Sequence, residues 1–535
     1  MIAAELSPTQ QASVETLDEE LRDRLLRRVD WRFLLPTPAP SRSVCFADGL
    51  LRDAVGLMSG SLVQPSEGDC DLAVAVRPDL ATLASARAAL RPGGACYTEW
   101  PWPLVGGPTG VRRRLEAAGF SHVACYWAWP PPGAARPRFW VPLDAQGALG
   151  HFQASRPALG GVARRALARV RLAGWALAVR TDLIAPICAV ARKPPLSPGQ
   201  GDLLDTIRRD WESWGLGSPP DRLSWLLLTG GRGSARKVVG LVYAEPHCRP
   251  RMVVKLSRVA HAASCLAREA RTLRAIAARG QGRMQGLPRV LFCREQAGGA
   301  VALGQTALSG DSLYNRLRWD NYRELALKAT DWLADLAGRP EPRPRADWWP
   351  RLVQPVLSEF SESPGGAVAP DVLAATTRLL DRLPALPLVV NHGDAGPENM
   401  LVDARGELAM VDWEDGEVDG LPLLDLVFFL TYLAFQLHDP WRTGRFREVY
   451  RATLDPTTPT GRVRAECLAR YAERVGLDPA ALHPLSLLQW VLRTRWEHQG
   501  LRGGADQPAL EAFRRSLYLS LWQEELRHGG LAPAA

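Results

Sequence analysis

The chain has 535 residues, which at roughly 150 residues per domain points to two to four domains. With 46% hydrophobic and 23% charged residues it has the make-up of a folded globular protein, so a wholly disordered chain is excluded. Basic residues outnumber acidic ones 65 to 57, but only four are lysine (Lys193, Lys237, Lys255 and Lys328) and the arginines are scattered, so no nucleic-acid groove is expected.

The first 28 residues read as a mildly acidic helical segment without a signal-peptide core, and residues 1–29 are expected to form an N-terminal helical segment. Nine cysteines occur with no C-x-x-C spacing and no Cys/His cluster, which argues against a disulfide framework or structural zinc and suits a reducing cytoplasm. The longest apolar stretch, 426–437, contains Thr431 and Gln436. It falls short of the ~20 residues a membrane span needs and reads as a buried helix.

Residues 30–195 alternate short apolar runs (43–47, 71–76, 95–100, 123–129 and 187–191) with turns and helical stretches, the pattern of an α/β domain. The run Asp71-Leu-Ala-Val-Ala-Val76, the turn Leu90-Arg-Pro-Gly-Gly-Ala-Cys96 and the later Ala117-Ala-Gly-Phe120 resemble the C-terminal half of class I SAM-dependent methyltransferases. The resemblance implies a Rossmann-like fold. A dinucleotide-type site needs a Gly-rich turn after the first strand and an acidic residue after the second. Here the first strand ends in Phe46-Ala-Asp-Gly49, with one glycine, and only 23 residues (48–70) precede the next apolar run. A βαβ unit takes ~30 residues, so at least one unit is expected to be missing. The domain is therefore read as truncated, with no SAM cofactor, serving docking or substrate presentation. Asp48 and Gly49 are candidate remnants of a ligand site.

A stretch rich in Pro and Gly follows Lys193, and 196–221 reads as a linker. Thr229-Gly-Gly-Arg-Gly-Ser234 lies between two expected strands, 225–228 and 238–243. Gly230, Gly231, Gly233 and Ser234 could there turn backbone N–H groups toward phosphate oxygens. Lys255 stands inside the apolar run Val253-Val-Lys255, in a chain that almost never uses lysine. In the expected helix 263–278, Leu266, Ala270, Leu273 and Ala277 form an apolar stripe, with Glu269 at its edge. An inward carboxylate needs a cation, and a Lys255–Glu269 pair is expected. Gln305 lies in the run 301–307, which resembles a kinase strand and hinge that contact adenine through backbone groups.

The most specific pattern is His392-Gly-Asp-Ala-Gly-Pro-Glu-Asn399, followed by Met410-Val-Asp-Trp-Glu414. Two apolar strands, 399–403 and 408–412, are joined by a turn at 404–407. Pairing Asp403 with Leu408 would set Asn399 opposite Asp412, so that an amide oxygen and a carboxylate converge as Mg²⁺ requires. Asp394, five residues before Asn399, could accept the proton of an incoming hydroxyl.

This H-G-D-x4-N pattern with its downstream aspartate resembles the aminoglycoside phosphotransferase and choline kinase family, small-molecule kinases with a protein-kinase-like fold. The resemblance implies Asp394, with His392, as the catalytic residues, and Asn399 and Asp412 as Mg²⁺ ligands. It also implies ATP as phosphate donor and Asp425 as the carboxylate that steadies the catalytic loop. It covers 222–440, giving an α+β N-lobe at 222–310 and a helical C-lobe at 311–535. Five carboxylates between Asp412 and Asp419 make an acidic rim suited to a cationic acceptor. Trp348, Trp349, Trp441, Trp490 and Trp496 offer aromatic walls for a sugar or amine, or else core.

The expected activity is transfer of the γ-phosphate of ATP to a hydroxyl of a small molecule, a sugar, amino alcohol or antibiotic-like compound. No nucleic-acid or membrane partner is expected. Two other readings stay open: a nucleotide-binding pseudokinase scaffold, and a bifunctional methyltransferase–kinase.

Overall fold

The computed structural model describes residues 19–101, 106–132, 138–154, 186–195, 201–230, 237–279, 284–296, 299–362, 367–501 and 513–529. The chain divides into two compact units, Met1–Ala267 with Val290–Ala307, and Arg268–Arg289 with Leu308–Ala535.

The first unit is built on one 12-stranded sheet. Its strands in chain order are β1 (Arg42–Cys45), β2 (Ser61–Leu62), β3 (Cys70–Val76), β4 (Leu90–Trp100), β5 (Ser121–Trp129), β6 (Phe139–Pro142), β7 (Ile187–Arg192), β8 (Leu223–Leu228), β9 (Lys237–Ala244), β10 (Met252–Ser257), β11 (Val290–Glu295) and β12 (Val301–Thr306). Across the sheet they run β11-β12-β10-β9-β8-β6-β5-β7-β4-β3-β1-β2. The strands β2, β1, β3 and β4 are parallel neighbours. Their residues are apolar on both faces because helices such as Leu50–Met58 and Leu80–Ala89 connect successive parallel strands. β7 lies antiparallel between β4 and β5. Only the helix Leu50–Met58 and the two-residue β2 separate β1 from β3 before a short 3₁₀ turn.

The strands β8 to β12 are antiparallel throughout. They are not a separate sheet. β6 pairs with β8 through Phe139 opposite Leu228 and Trp140 opposite Leu227, and so splices the two halves. The division expected between 195 and 222 is therefore absent from the sheet: apolar edges of both halves satisfy each other's backbone groups. Residues 202–214, expected within a linker, hold the helix Leu203–Asp210 and a 3₁₀ turn. Asp202 caps that helix, accepting from Asp205 N–H at 3.0 Å, and Ile207 is buried.

The second unit is mainly helical, with three small sheets: β13 (Asp311–Ser312) with β17 (Met400–Val402) and β18 (Leu408–Met410); β14 (Pro342–Arg343) with β15 (Leu386–Pro387); and β16 (Val389–Asn391) with β19 (Glu417–Gly420). At its centre lies the helix Leu424–His438, where Leu426, Val427, Phe428, Phe429 and Leu430 are all buried. A helix apolar all round belongs inside a core. Among the described residues no helix is long and apolar enough to cross a membrane.

Candidate active site

The second unit gathers most of the motif residues. β16 delivers His392 into the interior, and Gly393 follows at φ 81, a conformation that favours glycine. A Cβ at Gly393 would also run into the Asp415 carbonyl. The N–H of His392 donates to Asp425 Oδ2 at 2.5 Å and that of Gly393 to Oδ1 at 3.0 Å. Asp425 thus clamps the loop with both oxygens. Burial pushes its carboxyl above the ordinary value, against the pull of the two backbone N–H groups. It is not a helix cap, since the helix begins at Leu424.

The His392 ring is fully buried, and both nitrogens are engaged. Nε2 donates to the Val411 carbonyl at 2.9 Å, while Nδ1 accepts the Asp394 N–H at 3.2 Å. That pair of partners fixes the neutral Nε2–H tautomer. In this arrangement the imidazole orients Asp394 and Val411. Both ring nitrogens are thus taken up within the chain.

Asn399 closes the loop from the other side, its Nδ2 donating to the Asp394 carbonyl at 2.9 Å and to Oδ2 at 3.2 Å. The other carboxylate oxygen of Asp394 meets Arg493 Nη2 at 3.0 Å, and that same Nη2 donates to the Gly393 carbonyl at 2.6 Å. Arg493 lies 3.8 Å over the Phe428 ring. This arginine was not anticipated. It sits in the helix Leu482–Leu501, 99 residues from Asp394, with no local motif to mark it.

The hairpin differs from expectation by one residue. Met400 pairs with Met410, Leu401 with Ala409 and Val402 with Leu408. Asp403 N–H then donates to the Glu407 carbonyl at 3.0 Å, and Val411 N–H to the Asn399 carbonyl at 2.9 Å. Val411, not Asp412, stands opposite Asn399. The reason is the turn: a three-residue loop, 404–406, ends in Gly406 at φ 82, and Asp403 Oδ1 accepts from the N–H groups of Arg405 and Glu407. Asp412 follows the ladder at φ 73, a left-handed position that turns the backbone sharply just past β18.

Glu269, in the helix Ala260–Ala278, is fully buried and accepts the N–H of Trp413, the residue after Asp412, at 3.3 Å. The same helix holds the next loop: Thr272 Oγ1 donates to Gly416 O at 3.0 Å and Arg279 pairs with Asp419 at 3.0 Å. Glu417 pairs with Arg351 at 2.8 Å. Two of the five rim carboxylates are thus neutralised, which reduces the attraction expected for a cationic acceptor. Of the tryptophans, Trp348 and Trp490 are fully buried, Trp349 lies under Arg345 at 3.5 Å, and Trp441 and Trp496 are 51% and 59% exposed.

The remaining expected residues belong to the first unit. Lys255 is buried in the middle of β10, between Val239 of β9 and Leu303 of β12. Gln305 is buried in β12 opposite Val253. Gly230 follows β8, where a Cβ would strike the Arg138 side chain. Gly231, Gly233 and Ser234 lie outside the described residues.

Among the described residues there is no group of three or more His, Cys, Asp and Glu side chains able to hold a metal ion. Asn399 spends its amide nitrogen on Asp394, which leaves its oxygen to act as a donor atom. One amide oxygen and one carboxylate suit a Mg²⁺ that brings its other oxygen ligands from phosphate and water.

Several solved structures are similar over much of their length at low identity. The GDP and kanamycin complex of APH(2")-IIia is 15% identical, with 61% of this chain and 98% of that chain covered and a TM-score of 0.36. A thermostable mutant of the aminoglycoside phosphotransferase APH(4)-Ia, with ADP and hygromycin B, gives 12%, 61%, 99% and 0.36. The aminoglycoside phosphotransferase APH(3'')-Id from Streptomyces rimosus gives 16%, 53%, 97% and 0.31. No curated protein matches the chain. Residues 238–464 match the model of the phosphotransferase enzyme family.

Proposed function

We propose that the protein is an ATP- and Mg²⁺-dependent phosphotransferase acting on a hydroxyl of a small molecule. The observation that carries this reading is the hydrogen-bonded set His392–Asp394–Asn399–Asp425, within the stretch matched to the phosphotransferase family. Its Asp394 side chain is 40% exposed, although its neighbours are largely buried.

In this reading Asp394 is the base that accepts the proton of the acceptor hydroxyl. His392, Asn399 and Asp425 hold it in place through the loop backbone, and Arg493 sets its rotamer. Asn399 and Asp412 would hold Mg²⁺, which when bound neutralises charge on the transferring phosphate. Lys255, Glu269, Gln305 and the glycine turn from Gly230 to Ser234 are assigned to the nucleotide. Trp496, one turn beyond Arg493 on the same helix and exposed, is assigned to the acceptor, as a flat wall for a sugar or other ring.

The methyltransferase-like reading of residues 30–195 is kept as part of the proposal, as a part without methyl-transfer chemistry. The turn after β1 holds a single glycine, Gly49 at φ 64, and the strand that follows, β2, is two residues long. A second-strand acidic anchor for a ribose has little room there.

The test is ADP release from Mg·ATP by the full-length protein across a panel of sugars, amino alcohols and aminoglycosides. Acceptor-dependent release that stops on removing Mg²⁺ is expected. Nucleotide binding without turnover on any acceptor would favour a pseudokinase.

A further inference from the structure

From the last residue of the helix Glu19–Arg28 toward β1, buried charges stand at alternate positions: Arg28, Asp30 and Arg32. Arg28 turns toward β4, where its guanidinium meets both oxygens of Glu99 at 2.6 and 2.7 Å. Tyr97 Oη also donates to Glu99, at 2.9 Å, and Trp31 stacks on the Tyr97 ring with centroids 3.8 Å apart. Asp30 and Arg32 turn toward Arg258, the residue that follows β10.

The Arg258 fork meets both oxygens of Asp30 at 2.7 Å, with both side chains fully buried. Its Nη2 also donates to the Thr229 carbonyl at 3.1 Å, and Arg32 Nη2 donates to the Arg258 carbonyl at 2.7 Å. Thr229 immediately precedes Gly230, and Arg258 stands three residues beyond Lys255. One buried carboxylate therefore orients a planar five-donor cation that also holds the Thr229 carbonyl, next to Gly230. The same cation ends the lysine strand.

We infer that Asp30 and Arg258 are positioning residues for the nucleotide, and that the segment before β1 sets nucleotide affinity by fixing Thr229 and the end of β10. The inference rests on the phosphotransferase reading above. It makes the N-terminal segment a working part of the nucleotide site, although it contributes no group to the ligand.

The experiment is calorimetric titration of full-length wild type, Asp30→Asn and Arg258→Lys with Mg·ATP, alongside thermal unfolding and the slow ATP hydrolysis rate at saturating nucleotide. Arg258→Lys keeps a buried cation for Asp30, but a single ammonium does not reproduce the fork that spans the carboxylate and the Thr229 carbonyl. Mg·ATP affinity is expected to fall by about tenfold or more in the folded Arg258→Lys variant, as loss of a charge-assisted hydrogen bond would produce. Hydrolysis at saturation should stay within about twofold of wild type, since positioning acts on binding.

Wild-type affinity in folded Arg258→Lys overturns the inference, as does a fall in hydrolysis rate with affinity unchanged. If neither variant folds, Asp30→Leu combined with Arg258→Met replaces the pair by apolar groups, and the same affinity criterion decides. A wild type that does not bind Mg·ATP overturns the phosphotransferase reading and this inference together. Binding by wild type with unaltered variants removes the inference alone.

Discussion

Each unit contains an aspartate–arginine pair in which the arginine also holds a backbone carbonyl, and the two pairs are built for opposite purposes. Asp30 and Arg258 meet through two 2.7 Å bonds with neither side chain exposed. Asp394 and Arg493 meet through one 3.0 Å bond, with the carboxylate 40% and the guanidinium 12% exposed. In the first, separation would strand two charges in a dry interior, so the pair stays closed. In the second, water and incoming groups can reach the carboxylate. The same chemistry makes a fixture in one place and an exchangeable contact in the other, and burial decides which.

The comparison breaks first at Asp30. Asp30→Leu leaves Arg258 buried without its partner and should cost about 3–5 kcal/mol in urea unfolding at neutral pH. Adding Arg258→Met should recover most of that loss, because the penalty is the orphaned charge. Recovery of less than a quarter would mean that the pair is not the seat of the effect.

A smaller effect is expected at Glu524, which joins the helix Leu517–His528 to Arg447 and Arg451, with a side chain 3% exposed. Burial alone would raise its carboxyl, but the hydrogen bonds from the two arginines outweigh burial and hold it below the ordinary value. A depressed carboxyl contributes stability that is present above its unfolded value, about 4.3, and is lost as pH falls through the folded one. Glu524→Gln should therefore lose about 1.5–3 kcal/mol at pH 7 and flatten the acid limb of the stability profile. An acid limb as steep as wild type would refute the assignment.

Arg493→Met sharpens the contrast from the other side. It should change stability by about 1 kcal/mol or less, because the pair is partly exposed. Phosphotransfer should nevertheless fall, since the Asp394 rotamer loses its restraint. A drop in stability as large as that of Asp30→Leu would abolish the distinction between the two pairs. Smallest of all, Trp496→Ala should leave stability within about 0.5 kcal/mol of wild type and raise only the acceptor KM.

How much of this could be read from the residues follows the range of each interaction. The strands β1, β3, β4, β5 and β7 coincide with apolar runs, since parallel and central strands need continuous apolar residues. The two-residue β2 and the proline-ended β6 leave too short a pattern, and the join of β6 to β8 is a pairing between residues 87 and 89 apart. The His392–Asn399 motif was legible because its partners lie within a few residues. The hairpin register slipped by one because Gly406, inside the turn, closes a shorter loop than the apolar pattern alone suggests. Asp30 with Arg258, and Asp394 with Arg493, join residues 228 and 99 apart, and charged residues in an arginine-rich chain carry no mark of their partners. Glu269 was picked out as inward-facing from its helix position, but its bond to Trp413 N–H has no sequence signature.

The central claim is that Asp394 takes the proton of an acceptor hydroxyl while ATP gives up its γ-phosphate. Single-turnover formation of phosphorylated acceptor, followed by mass spectrometry with wild type and Asp394→Asn at saturating Mg·ATP, tests it most directly. The amide matches the carboxylate in size but cannot accept the proton, so the rate should fall about 10²–10⁴-fold with nucleotide affinity unchanged. Phosphorylated acceptor appearing at the wild-type rate in Asp394→Asn would contradict the account.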